Sequence, residues 1–210
     1  MLSRREFVGV MGTAGAVCGP VVPPDRPEWR VVDLGPACIL RESLAGFCGT
    51  GIPAGPLPRD GREWLSCVVP AAARLTDGFV ARLADHVQQG SWLIFESAAG
   101  FGGFETQREQ LARHFHLTVE PPVDLWAGGA SAPYVEYRWP VRTKVRDFSK
   151  VVPVPTEAAE IIGMIGNMPV AARLGRLIFL GSPIGPSLLA GDREAHLWFN
   201  ALRQQTPFPR

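Results

Sequence analysis

The clearest pattern of apolar and polar positions lies between residues 64 and 96. Residues 64–70 form a short, continuous apolar run, which is typical of a strand buried on both faces. Thr76 then provides a helix N-cap, and apolar residues recur at three- and four-residue spacing over 79–87. A second apolar run follows at 92–95. Because strand, helix and strand follow so closely, this region predicts a βαβ unit with parallel strands.

Weaker patterns predict the elements on either side of this unit. A strand is expected upstream at 30–34, and residues 48–62, which are rich in glycine and proline, predict a long loop. The sequence Thr106-Gln107-Arg108-Glu109 matches a capping box. A second helix is therefore expected to begin there, with Leu111, Ala112 and Phe115 on its buried side.

The second half of the chain predicts several strands and a final helix. The expected strands are 134–139, 151–154, 160–164, 170–174 and 177–180. Gly175-Arg176 separates the last two and predicts a two-residue hairpin turn. The helix is expected at 192–204, with a buried stripe of Ala195, Trp198, Phe199 and Leu202. Together these elements predict one domain over 28–210, a flavodoxin-like three-layer α/β sandwich with a mostly parallel, partly mixed sheet.

Composition excludes some classes of function. The chain has 210 residues, of which 46% are hydrophobic and 20% charged, and this is ordinary for a globular domain. The net charge of +1 is too small to favour nucleic acid or a membrane surface as a partner. Since every apolar run is shorter than the roughly 18 residues that cross a bilayer, no transmembrane span is expected.

The first 27 residues have the features of an export signal. Ser3-Arg4-Arg5-Glu6-Phe7-Val8 resembles the twin-arginine motif, with Arg4 and Arg5 as the targeting pair, although lysine is common where Gly9 stands. A mildly apolar stretch, small residues at 14–16 and a proline-rich spacer follow. The resemblance implies the twin-arginine translocase as a partner, transport of a folded chain, and a periplasmic or extracellular location. The alternative is an ordinary amphipathic N-terminal helix.

The four cysteines bear on that location. Cys18 offers a lipid anchor as an alternative, but Val17 is a poor residue before a lipidated cysteine. Cys38 and Cys48 flank a short predicted loop and are candidates for a disulfide outside the cytoplasm. Cys67 lies in an apolar strand, which favours a buried thiol. Because no C-x-x-C motif occurs, neither a zinc site nor a thioredoxin-like site is indicated.

Three stretches resemble the class I glutamine amidotransferase-like superfamily. VVPAAARLTD at 68–77 is similar to the family's strand that ends in proline before a capped helix. LADHVQQGSWLI at 83–94 is similar to its helix, glycine turn and apolar strand, and PVAARLGRLIFLG at 169–181 to its late hairpin. More narrowly, the chain looks like non-amidotransferase branches such as ThuA-like proteins and the trimerisation domains of some β-galactosidases. The resemblance covers most of the predicted domain and implies the same fold.

The catalytic pattern of that family does not carry over. True amidotransferases place a cysteine on a tight turn within Gly-x-Cys-x-Gly, whereas the turn here has Ser97, with Phe95 and Ala99 in place of the flanking glycines. Residues 46–51 superficially resemble the motif but lie too early in the chain. The late His–Glu pair also has no counterpart, since His196 falls inside the last predicted helix. Glutaminase activity is therefore not expected.

Ligands of open α/β sheets bind beyond the carboxyl ends of the strands. This edge is expected to gather residues 71–74, 96–103 and 182–186. The candidate ligand-binding residues are Glu96, Ser97, Gly100, Gly102, Gly103 and Ser182. The glycines would let a ligand approach the backbone, and the helix start near Thr106 suits an anion. Glu105 replaces the third glycine of G-x-G-x-x-G, so no dinucleotide site is indicated and no cofactor is identified. The alternative is a flexible connection in which Ser97 is a turn residue.

Two classes of function remain open. The favoured one is an exported, non-catalytic module that binds a small molecule or a protein. The other is an exported hydrolase that uses Ser97 or Glu96. A serine nucleophile needs a base within about 3 Å, and no spacing connects a histidine to Ser97. His86 and His196 are expected on helices, at the surface or half-buried.

Two further groups of residues have ordinary explanations. His114, His116 and Glu120 straddle a helix end, which does not favour the three convergent ligands of a metal site. The aromatic residues Trp126, Tyr134, Tyr137 and Trp139 would suit sugar stacking if exposed, but such rings more often pack against a sheet.

Overall fold

The computed structural model describes residues 28–35, 40–58, 65–72, 74–99, 104–125, 134–146, 150–155, 157 and 159–205. The predicted targeting segment, which includes Arg4, Arg5 and Cys18, lies outside the described residues. Cys38, Gly100, Gly102, Gly103 and Trp126 also lie outside them.

Strands and helices alternate along the described chain. The strands are β1 (Glu28–Val32), β2 (Ala54–Gly55), β3 (Leu65–Val69), β4 (Leu93–Glu96), β5 (Val123–Asp124), β6 (Tyr134–Tyr137), β7 (Thr143–Arg146), β8 (Lys150–Val151), β9 (Glu160–Ile165), β10 (Met168–Leu174) and β11 (Leu177–Leu180). The helices are α1 (Arg41–Gly49), α2 (Asp77–Gln88), α3 (Phe104–Phe115), α4 (Gly185–Leu189) and α5 (Arg193–Gln205). None of these helices has the length and apolar character to cross a membrane.

Nine of the strands form one sheet in the order β2-β1-β3-β4-β11-β10-β9-β6-β7. The first five strands of that order run parallel, and each pair from β11 to β7 is antiparallel. β5 and β8 pair separately. Residues of α2 and α3 pack on one face of the large sheet, and residues of α1, α4 and α5 pack on the other. The predicted three-layer α/β fold with a mixed sheet is confirmed.

The βαβ unit is also confirmed. β3 and β4 are parallel neighbours, with Cys67 opposite Leu93. Thr76 is the N-cap of α2, and its hydroxyl oxygen accepts a hydrogen bond from the N–H of Phe79 at 3.3 Å. Successive residues of a strand face opposite layers, as its pleat requires, so Leu93 packs with α2 and α3 while Ile94 packs with α5. These strands are buried on both faces, which explains their continuous apolar sequence.

The late hairpin and the last helix form as predicted. Gly175 has a φ of 58°, the left-handed conformation that glycine adopts without steric cost, and this allows the tight turn between β10 and β11. Asp192 precedes α5 and accepts a hydrogen bond from the N–H of Glu194 at 2.8 Å. All four residues of the predicted apolar stripe of α5 are fully buried.

Two short helices were not predicted. Residues 41–49 form α1, so Cys48 lies on a helix, and the predicted loop at 48–62 is interrupted again by β2. The segment 182–186, for which only a place at the strand ends was expected, contains the start of α4. Both helices are short and contain glycine, which has low helix propensity, so packing rather than local preference stabilises them.

The second helix begins earlier than the capping box predicts. α3 starts at Phe104, so Thr106 lies within its first turn and the predicted N-cap is wrong. Ala112 is exposed, and Gln107 and Gln110 are buried instead. The face that packs on the sheet is set by residues spaced three and four apart from Phe104 onward. The strand expected at 151–154 is also shorter, since β8 ends at Val151.

Candidate functional site at the strand ends

Glu96 is the last residue of β4 and lies at the carboxyl end of the parallel strands. The segments that follow β3 and precede α4 meet at the same edge, as the direction of the strands requires. Glu96 and Ser97 are both completely buried, with 0% of each residue exposed. The edge that was predicted to hold a ligand is therefore closely packed around these two residues.

Four hydrogen-bond donors converge on the Glu96 carboxylate. Oε1 accepts hydrogen bonds from the N–H groups of Ile184 at 2.7 Å and Gly185 at 2.9 Å, at the start of α4. Oε2 accepts one from the N–H of Ala71 at 2.9 Å and one from the Ser43 hydroxyl of α1. We call these five residues the Glu96 site. A single carboxylate thus joins segments that lie up to 89 residues away from it in the chain.

Burial and hydrogen bonding act in opposite directions on the Glu96 carboxyl group. Desolvation is the larger effect and raises the pKa of Glu96 above its ordinary value. The four hydrogen bonds favour the ionised form and oppose that rise. Three of the donors are backbone N–H groups, which cannot accept a hydrogen bond from a protonated carboxyl group. The surroundings therefore provide donors that suit an accepting carboxyl oxygen.

Glycine allows α1 and α4 to approach closely beside Glu96. A Cβ atom placed on Gly46 would overlap the carbonyl oxygen of Gly185, and one placed on Gly185 would overlap the backbone of Ser43. The contact positions the Ser43 hydroxyl and the first N–H groups of α4 on the same carboxylate. Close packing of the two helices and the Glu96 hydrogen bonds therefore depend on one another.

Ser97 is buried and hydrogen-bonded within the protein. Its hydroxyl donates a hydrogen bond to the carbonyl oxygen of Gly181 at 2.8 Å, and its N–H bonds to the carbonyl oxygen of Leu180 at 2.9 Å. Gly181 is itself confined, since a Cβ atom there would overlap the carbonyl oxygen of Val152. Ser182 lies at the same edge and is 4% exposed.

Three of the four described histidines have side-chain partners away from Ser97. His86 is buried, contrary to the prediction of a surface or half-buried position, and its Nε2 lies 3.4 Å from the carbonyl oxygen of Pro58. His196 reaches the carbonyl oxygen of Leu188 at 3.0 Å. His114 bonds to the Asp77 carboxylate at 2.9 Å, and this bond lowers the pKa of Asp77. Within the part of the chain that is described, none of these rings hydrogen-bonds to Ser97.

The remaining candidates are possible metal ligands and the cysteines. Among the described residues, no three His, Cys, Asp or Glu side chains are placed to hold a metal ion. Cys67 is buried as predicted, and desolvation raises the pKa of its thiol to about 12. Cys48 is half-buried on α1.

Two of the candidate aromatic rings pack inside the molecule. Tyr137 is buried with its ring 4.7 Å from that of Trp198. Trp139 stacks on Trp92 at 6.4 Å and lies under the Arg173 guanidinium at 4.6 Å. Tyr134 is more accessible, at 41% exposed. The packing interpretation holds for Tyr137 and Trp139, whose rings are occupied by neighbours.

Sequence reasoning identified Glu96 but missed the residues that bind it. Ser43 and Gly46 are three positions apart, so they share one face of α1, and two small residues at this spacing indicate a close helix contact. That indication was lost because no helix was predicted there. Nothing local in the sequence of Ile184 and Gly185 shows that their N–H groups face a carboxylate.

Comparison with known proteins shows the fold. No family model matches the chain, and no curated protein matches it either. Among solved structures, 33 chains match. A glutamine amidotransferase superposes with a TM-score of 0.51 and 18% identity, over 84% of this chain and 99% of its own.

Two glycosidases also contain the fold as a part of a longer chain. A β-galactosidase from the psychrophilic Marinomonas ef1 superposes with a TM-score of 0.50 and 18% identity, over 88% of this chain and 30% of its own. The α-L-fucosidase isoenzyme 2 from Paenibacillus thiaminolyticus superposes with a TM-score of 0.54 and 9% identity, over 86% of this chain and 33% of its own. The chain thus spans about a third of each glycosidase and nearly the whole amidotransferase. At these identities, the similarity establishes a glutamine amidotransferase-like fold and no activity.

Proposed function

We propose that this chain is an exported, non-catalytic binding module with a glutamine amidotransferase-like fold. The observation that carries the proposal is the Glu96 site. At the sheet edge where enzymes of open α/β architecture act on their substrates, the Glu96 carboxylate and the neighbouring serine are fully buried and bonded within the protein. A nucleophile or a general base must reach its substrate, and neither side chain does so without disruption of this packing.

The alternative is an exported hydrolase that uses Ser97 or Glu96, and Ser97→Ala tests it. Ser187→Ala is a matched control, because the Ser187 hydroxyl is also buried and donates to a backbone carbonyl, that of Arg146, at 2.9 Å. We expect no esterase, amidase or glycosidase activity in the wild type or in either variant. Activity that Ser97→Ala abolishes and Ser187→Ala retains would establish the hydrolase instead.

Binding is tested by thermal shift against a panel of small metabolites and sugars. A binding module is expected to show a Tm that rises with the concentration of a ligand, since a ligand that binds only the folded state stabilises it. The compounds should be recovered unchanged after incubation. Turnover of a bound compound would contradict the non-catalytic assignment.

Export is tested separately with residues 1–27 fused to a reporter that folds in the cytoplasm. The twin-arginine resemblance predicts delivery of the reporter to the periplasm, dependent on the twin-arginine translocase. Arg4→Lys combined with Arg5→Lys should retain the reporter in the cytoplasm, while Arg26→Lys, which lies beyond the motif, should not. Delivery without Arg4 and Arg5 would contradict this route.

A further inference from the structure

A surface cleft lies on the antiparallel half of the sheet, away from the parallel strand ends. It has a volume of about 570 Å³, and its lining residues are Glu136, Tyr137, Arg138, Arg142, Thr143, Lys144 and Glu194. We call it the β6–β7 cleft, since six of these residues come from those strands and their connection and one from the start of α5. This volume falls in the range of small-molecule sites, roughly 300–1,000 Å³.

The charges of the cleft are not all neutralised. Lys144 and Glu136 form an ion pair at 2.6 Å. Across the described part of the chain, no carboxylate lies within salt-bridge distance of Arg138 or Arg142, and both side chains are exposed. Two guanidinium groups in the lining of the cleft thus retain donors for an incoming oxyanion.

Thr143 supplies an independent indication of a ligand. The residue is only 5% exposed and lines the cleft, and its Oγ1 is buried without a hydrogen-bond partner. It lies directly opposite Tyr137 in the β6–β7 pairing, on the buried side of the hairpin. A buried hydroxyl without a partner destabilises a protein, and a ligand that accepts its hydrogen bond removes that penalty.

The backbone of α5 is not the source of this binding capacity. Asp192 already accepts hydrogen bonds from the N–H groups of Glu194 at 2.8 Å and Ala195 at 3.3 Å. The exposed donors without an ion pair among the described residues are therefore the side chains of Arg138 and Arg142, and the buried, unpaired Thr143 hydroxyl is a third donor in the lining. The carboxylates of Glu136 and Glu194 at the same cleft disfavour an extended polyanion, so the fit is to a small molecule with one oxyanion group.

We propose that the β6–β7 cleft binds a small organic molecule through a carboxylate or phosphate group, which Arg138 and Arg142 hold and to which Thr143 donates a hydrogen bond. The inference rests on the proposed function of the chain as a binding module and identifies its site. Arginine suits either oxyanion because its planar guanidinium forms paired hydrogen bonds with both.

The test is calorimetric titration of the full chain at low ionic strength with succinate, inorganic phosphate and succinamide, the uncharged analogue of succinate. We expect succinate, phosphate or both to bind saturably, and succinamide not to bind. Arg142→Gln should weaken binding by about tenfold or more, the size expected for loss of a charge-assisted hydrogen bond. Thr143→Val should weaken it by a smaller factor without lowering the Tm of the ligand-free protein, because it removes a hydroxyl that has no partner there.

Arg41→Gln on α1 is the control for net charge, since Arg41 is also exposed. Absence of saturable binding of both anions below about 10 mM would overturn this site, as would equal weakening by Arg41→Gln and Arg142→Gln or equal binding of succinamide. A ligand from the thermal-shift panel that stabilises the wild type and Arg142→Gln equally would overturn the site and leave the binding module intact. Failure of both experiments would overturn both.

Discussion

The Glu96 site and the β6–β7 cleft both collect polar groups, and they differ in how those groups are paired. At the Glu96 site, one buried carboxylate accepts four hydrogen bonds from within the protein. In the cleft, two arginines have no carboxylate within salt-bridge distance among the described residues, and the Thr143 hydroxyl is buried without a hydrogen-bond partner. The first arrangement stabilises the fold, whereas the second leaves interactions open to a ligand. The part of this fold that is conventionally used for chemistry is thus the more structural of the two.

The largest effect is expected from Glu96→Ala. The substitution removes the acceptor for three buried backbone N–H groups and for the Ser43 hydroxyl. We expect the free energy of unfolding to fall by about 4 kcal/mol, measured by urea denaturation. The control is Glu160→Ala, which removes an exposed ion pair with Arg173 and should cost less than about 1 kcal/mol. Similar losses in the two variants would contradict a structural role of Glu96.

Gly46→Ala should have a slightly smaller effect. The new Cβ would overlap Gly185, so α1 and α4 must separate at the cost of the Glu96 hydrogen bonds, and we expect a loss of about 3 kcal/mol. Gly49→Ala is a matched control on the same helix. Open space surrounds its Cβ position, and alanine there should stabilise the protein by up to about 1 kcal/mol. Equal and small effects at both positions would show that the helices are not in close contact.

Glu96→Gln tests the charge of the site and its dependence on pH. The amide NH2 group cannot accept a hydrogen bond, whereas both oxygens of the carboxyl group can in either protonation state, so we expect the free energy of unfolding to fall by about 2 kcal/mol. Since burial raises the pKa of Glu96, the folded wild type binds more protons than the unfolded chain between about pH 4 and the raised pKa. Stability from this group is therefore greatest at low pH and is lost as the pH rises through the raised pKa. The wild type should therefore lose part of its higher free energy of unfolding, relative to Glu96→Gln, as the pH rises from about 4 through the raised pKa of Glu96. Urea denaturation of both proteins across that pH range measures the difference. An advantage that widens would mean that the hydrogen bonds outweigh burial.

The smallest changes in the free energy of unfolding are expected when a single buried or partly buried threonine hydroxyl is removed, and their sign depends on whether that hydroxyl has a hydrogen-bond partner. Thr143→Val removes an unpaired Oγ1 in the cleft and should raise the free energy of unfolding by up to about 1 kcal/mol. Thr50→Val removes a hydroxyl that donates to the carbonyl oxygen of Phe47 at 2.6 Å and should lower it by about 1 kcal/mol. Differential scanning calorimetry of the two ligand-free variants and the wild type measures both changes in stability. Changes of the same sign would contradict the contrast between the two hydroxyls.

The sequence predicted those parts of the fold whose signals are local. The βαβ unit around α2, the Gly175 turn and α5 each have an apolar period, a cap or a glycine within a few residues. α1 and α4 lack such signals. Gly46 and Gly185 allow the two helices to approach closely, but glycine has a low helix propensity and so does not predict a helix. Their existence depends on tertiary packing, which no local pattern encodes.

The sequence predicted the position of the Glu96 site in the fold but not the hydrogen bonds that surround Glu96. The rule for parallel sheets brought Glu96 and the segments after β3 and before α4 to one edge. It did not show that Ser43, 53 positions away, would bond to the carboxylate and fill the edge. The β6–β7 cleft was not predicted for the same reason, because Thr143 and Glu194 come together only when α5 packs beside β7.

The four bonds of Glu96 also set an order in which the domain can be completed during synthesis. Ser43 and Ala71 emerge from the ribosome before the carboxylate does, whereas Ile184 and Gly185 follow it by 88 and 89 residues. Until α4 has been made, Glu96 has only half of its donors, and α1 has no helix to pack against. Nascent chains that stop before residue 184 should therefore be open to proteolysis at both ends of the sheet, and protection should appear in a single step once α4 and α5 have emerged.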